Sequence, residues 1–89
     1  MSTKSLLSPV VRLHARALYA AAGVGQRLRA AREACGYTIK DVDRLTGINF
    51  ATVNRYECGR AKPEVVNLFK LCAVYAVSAD EILGLRGGV

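Results

Sequence analysis

Apolar positions in this chain recur three and four residues apart in short clusters, and glycines separate the clusters, which is the pattern of several short helices. Val10, Leu13, Ala17, Leu18 and Ala21 follow Ser8-Pro9, an N-cap with proline at the first helical position, and predict a helix that is interrupted at Gly23 and Gly25. A second helix over about 25–35 turns Leu28, Ala31 and Cys35 inward, with Gly36 as its left-handed stop. Two shorter helices follow, roughly 39–46 and 50–58. Thr38, with Asp41 three residues on, can cap one, and Asn49 can cap the other; Gly47 supplies permissive backbone between them and Gly59 ends the unit. Lys62-Pro63 opens another helix. Its Val65, Val66, Leu68, Phe69, Leu71, Cys72 and Tyr75 cover too wide an arc for a surface helix, so it is expected as a buried central strut. Ser78-x-x-Glu81 is a capping box for a last helix from Ala79 to Leu83, ended by Gly84. No segment carries a convincing strand period, so the expected fold class is all-α.

Charge sharpens this picture more than length does. The 89 residues suit one domain with a modest core, burying roughly 60% of the unfolded surface. The net charge of +6 and the sequence pI of about 9.7 favour polyanionic partners, nucleic acid before membrane surfaces. The excess is localised: residues 1–32 carry Lys4, Arg12, Arg16, Arg27, Arg29 and Arg32 with no acid, whereas seven basic and seven acidic side chains balance beyond them. Such an acid-free start superficially resembles a targeting peptide, but Arg12, His14 and Arg16 interrupt any apolar stretch. No run approaches the ~18 apolar residues of a membrane span, and a cytoplasmic location is expected. Cys35, Cys58 and Cys72 match no zinc or redox spacing and are read as reduced thiols, with Cys72 in the core. His14 has no ligand-type neighbour. With one histidine and no grouped nucleophile, base and carboxylates, the chain is not expected to be an enzyme, and it calls for no cofactor or metal.

Residues 36–60, two short capped helices around a glycine, have the arrangement of a DNA-reading helix-turn-helix. On the helix after Asn49, Val53 and Tyr56 face the same way as Ile48 and belong to the core. Phe50, Ala51, Asn54 and Arg55 occupy the opposite arc and are the base-reading candidates, with Thr52 at the margin. Arg55 suits guanine O6 and N7 and Asn54 suits adenine, each worth about 1 to 3 kcal/mol of discrimination, while Phe50 and Ala51 suit thymine methyl groups. Two alternatives stand beside this: Phe50 folded back on the core as a staple, and Arg55 used on a phosphate or paired with Asp43. Candidates for the DNA backbone are Thr38, Lys40, Asn49, Thr52, Arg60 and Lys62, and Arg27 and Arg29 would extend the footprint.

Taken together, Leu28-x-x-x-Arg32, Gly36-Tyr37-Thr38, Val42, Thr46-Gly47-Ile48-Asn49, Val53, Arg55-Tyr56-Glu57-x-Gly59, Pro63, Leu68, Leu71 and Asp80-Glu81-Ile82-Leu83 resemble the phage-repressor-like helix-turn-helix family, the Cro and lambda-repressor type. The resemblance implies a compact five-helix domain over 25–84 whose third helix reads double-stranded DNA, usually as a homodimer on a palindromic operator. It also implies that Glu57 pairs with Arg32 as a structural brace. Residues 1–24 would be an additional N-terminal helical extension and 85–89 a flexible tail. Two positions depart from the family pattern. Ile39 replaces a glutamine that helps anchor the domain to the DNA backbone, and Asp43 replaces a small residue at the helix crossing, where a carboxylate must reach solvent, Arg44 or Arg55 and is expected to cost stability. The expected function is a transcriptional repressor of phage, plasmid or restriction-modification type, acting by operator occlusion, since the length leaves no room for an effector domain. The alternative is an antitoxin-like interaction protein whose N-terminal helix binds a protein partner. That helix could also cover the domain, form a dimer seam or clamp the DNA backbone through Arg12 and Arg16.

Overall fold

Five helices follow one another in the computed structural model, which describes residues 23–85: α1 Val24–Ala34, α2 Ile39–Thr46, α3 Phe50–Glu57, α4 Val65–Tyr75 and α5 Ala79–Leu83. The described residues contain no strand, and the fold is all-α. The helix expected after Ser8-Pro9 and residues 86–89 of the expected tail lie outside the described residues.

The caps explain most of the boundaries. Thr38 and Asp41 form a reciprocal capping box at α2, with each backbone amide donating to the other's side chain, at 2.8 and 3.0 Å. Asn49 Oδ1 accepts the Ala51 amide at 2.8 Å to start α3, and Ser78 Oγ accepts the Glu81 amide at 3.2 Å to start α5. Four helices end in the same six-residue hydrogen-bond pattern: Tyr37 N–H to Arg32 O, Arg60 N–H to Arg55 O, Val77 N–H to Cys72 O and Leu85 N–H to Asp80 O. The left-handed residue this ending requires is glycine at 36, 59 and 84, but alanine at 76, with φ 56°. Between α2 and α3, Gly47 takes φ 77° and turns the chain sharply enough for the two helices to pack.

Leu28, Val42, Val53 and Leu71 are fully buried, one from each of α1 to α4, and Val24, Ile48, Tyr56, Cys72, Tyr75 and Ile82 complete the core. Gly25 sits inside α1 because the end of α3 passes there: a Cβ at this position would lie 2.4 Å from Tyr56 O. Tyr56 keeps its hydroxyl satisfied by accepting from Asn67 Nδ2 at 2.8 Å.

Four expectations need correction. α4 is a half-buried helix and not a central strut, with Leu71, Cys72 and Tyr75 inward and Val65, Val66 and Phe69 exposed. Its partners α1, α2 and α5 cover one side, whereas a wide apolar arc in sequence carries no information about how much of it finds a partner. α4 also begins at Val65, since Pro63 and Glu64 remain extended before it. Cys35, expected inside, is exposed at the end of α1, where its thiol donates to Tyr75 O at 3.6 Å. Finally, α1 begins one residue earlier than expected and places Val24 in the core.

Candidate nucleic-acid interface

The helix that carries the base-reading candidates, α3, is held at both ends. At its C-terminal end, Glu57 meets Arg32 of α1 in a bidentate pair, Nε to Oε2 at 2.8 Å and Nη2 to Oε1 at 3.0 Å, with side chains only 11% and 5% exposed. A third donor of the same guanidinium, Nη1, reaches Tyr37 O at 2.8 Å. One planar fork thus joins the end of α1, the end of α3 and the segment leading into α2, which a lysine could not do. Its hydrogen bonds to Glu57 raise the Arg32 pKa further above its already high ordinary value.

The N-terminal end of α3 is held differently. Asp43 Oδ2 accepts the Phe50 amide at 2.9 Å, next to the Asn49 cap on Ala51. Asp43 is thus not an unpartnered charge at the rim of the helix crossing. Its carboxylate satisfies an otherwise open donor at the positive end of α3 and complements the helix dipole. Neither cation expected beside this carboxylate pairs with it: Arg44 pairs with Asp41, and Arg55 forms no ion pair among the described residues. Asp41 itself has a pKa below the ordinary aspartate value because it accepts from the Thr38 amide.

With Val53 and Tyr56 locked inward, Phe50, Ala51, Asn54 and Arg55 are left exposed on the outer side of α3, and Thr52 is half-buried beside them. Phe50 is 47% exposed, which rules out the staple folded back on the core. Its ring instead lies under Lys40, whose Nζ stands 5.8 Å from the centroid, within cation–π range. Phe50, Ala51 and Asn54 share an open groove of about 710 Å³ with Gly36, Tyr37, Thr38, Ile39 and Lys40, and Arg32 lines it too. Sequence reasoning did not assign Tyr37 to this surface, and Ile39 entered only as a departure from a pattern. Neither carries a periodic signal that would place it beside the start of α3.

The backbone candidates divide. Lys40 and Arg60 are exposed, and Lys62 is exposed in the loop after α3, beside Val24 and Gly25. Thr38 and Asn49 are exposed as well, but their side-chain oxygens are committed to caps. Arg27 is turned away from the suggested footprint: its Nε donates to Ile82 O at 2.7 Å, and its guanidinium packs against Gly84 at the end of α5. Arg29 is exposed in an i,i+4 pair with Glu33.

A family model described as "Helix-turn-helix" matches residues 28–82, which spans α1 to α5 almost completely. The chain belongs to the phage-repressor-like helix-turn-helix family. This is a family of DNA-binding regulators and not of enzymes. Among curated proteins the chain is similar to the HTH-type transcriptional regulator ImmR of Bacillus subtilis, 36% identical over 61 residues that cover 68% of this chain and 48% of that one. It is also similar to a prophage-derived, uncharacterized HTH-type transcriptional regulator of the same bacterium, YonR, 34% identical over 59 residues covering 66% of this chain and 55% of the relative. The chain thus spans about half the length of these helix-turn-helix relatives. A glutamine–fructose-6-phosphate aminotransferase of Methanocaldococcus jannaschii shares 34% identity over 61 residues, but these are 6% of that protein, so the likeness does not extend to it as a whole. No solved structure gives a significant match.

Proposed function

We propose that this member of the helix-turn-helix family is a sequence-specific transcription regulator, acting in the cytoplasm as a homodimer on a palindromic operator and repressing by occlusion of a promoter. The observation that carries the reading is the outer face of α3. Phe50, Ala51, Asn54 and Arg55 stand exposed on a helix whose two ends are fixed by Asp43 and by the Arg32–Glu57 pair. An exposed side chain on a rigid support is what base reading requires, because the donors must keep their geometry when they enter the groove. The names of ImmR and YonR as transcriptional regulators support the regulatory role. In this reading Arg55 and Asn54 discriminate bases. Lys40, Arg60 and Lys62 hold phosphates, and Arg32 with Glu57 sets the angle of the helix.

Selection of bound sequences from random duplex DNA tests this. The expected result is an inverted-repeat consensus with half-sites one helical turn apart, about 34 Å. Enrichment of no sequence, or of a single unrepeated site, would contradict the palindromic reading.

A further inference from the structure

We infer that the start of α3 recognises the C5-methyl group of thymine, so that part of the specificity of this surface is for a methyl group and not for a hydrogen-bond pattern; this rests on the DNA-reading role proposed above. Three observations converge on it.

The side chains at the start of the helix, Phe50 and Ala51, carry no donor or acceptor and are exposed. The backbone donors that usually make a helix start attractive to phosphate are already used: the Phe50 amide donates to Asp43 Oδ2 at 2.9 Å, the Ala51 amide to Asn49 Oδ1 at 2.8 Å and the Thr52 amide to Asn49 O at 2.9 Å. One of these acceptors is a carboxylate, so a phosphate brought to the same place would meet a like charge as well as occupied donors. The start of α3 is therefore a poor phosphate site and a poor reader of base acceptors.

It is a well-formed apolar one. Tyr37 and Ile39 line the groove with Phe50 and Ala51, and Lys40 lies over the Phe50 ring, while Phe50 remains about half exposed. In the major groove, the base feature that such a surface complements is the thymine methyl, the apolar group that projects there. Asn54, one turn along the same face, lies in the same groove lining and would read a base adjacent to that thymine.

The inference can be tested with the wild-type protein and a change of one methyl group in the DNA. Duplexes obtained by selection are resynthesised with deoxyuridine replacing thymine at one position at a time, and their dissociation constants are measured at fixed salt. Uracil keeps every hydrogen-bonding group of thymine and lacks only the methyl, so a loss of about fourfold is expected at one or two positions per half-site, the weight of one buried methyl. In Phe50→Asn the thymine-to-uracil ratio at those positions should fall close to one, whereas in Arg60→Ala it should persist while overall affinity drops. Equal affinity for thymine and uracil at every position, on duplexes that the protein does bind selectively, would overturn the methyl inference and leave the regulator reading standing. Failure to bind any duplex selectively would remove both.

Discussion

The carboxylate of Asp43 lies where an open amide and the positive end of a helix coincide, and its 2.9 Å contact with the Phe50 amide ties the start of α3 to the helix before it. Asp43→Ala is expected to lower stability by about 1 kcal/mol, the usual loss on removing a helix-start acceptor. In a domain of this size the melting temperature would fall by roughly 4 to 8 °C, and Asp43→Asn should retain most of it. A thermal melt in which Asp43→Ala is unchanged or more stable would show that the contact contributes nothing. In the sequence the position could be read only as a misplaced charge. The bond joins residues seven apart across the Gly47 turn, a distance that matches no capping pattern, whereas Thr38 and Asp41 announce theirs by spacing alone. The Arg32–Glu57 pair, 25 residues apart, was suggested by the family resemblance; nothing in the spacing alone pointed to it.

Helix boundaries were largely legible because this chain marks them chemically: Thr38, Asn49 and Ser78 at starts, Gly36, Gly47, Gly59 and Gly84 at ends. Which face of a helix finds a partner was less so. α4 offers apolar residues around most of its circumference, and the packing of α1, α2 and α5 on one side alone leaves Val65, Val66 and Phe69 exposed. Among the described helices, α4 is also the one with a left-handed ending that lacks glycine. Ala76 holds φ 56° there, a conformation in which its Cβ crowds the backbone at a cost of roughly 1 to 2 kcal/mol. Ala76→Gly should therefore stabilise the protein by about 1 kcal/mol after the extra unfolded-state freedom of glycine is subtracted, measurable as a higher denaturation midpoint. A lower midpoint would mean that the strain is relieved in some other way.

At the scale of the whole molecule, the proposed function separates attraction from discrimination. Around α2 and α3 three acids serve internal bonds, Asp41 and Asp43 as caps and Glu57 as a brace, while Lys40, Arg55 and Arg60 stand outside on or next to α3. The basic excess of the sequence concentrates before residue 33, and the structure removes Arg27 from it by docking that side chain on α5. Specificity is then assigned to a few positions on α3. The most direct test is the ratio of affinities for a selected duplex and a random one, measured at the same salt for the wild type, Asn54→Ala and Arg55→Ala. The account predicts that each substitution lowers that ratio by roughly five- to a hundredfold, as for a lost base contact, with a smaller change on random DNA. Equal losses on both duplexes would contradict it and reduce these side chains to backbone contacts.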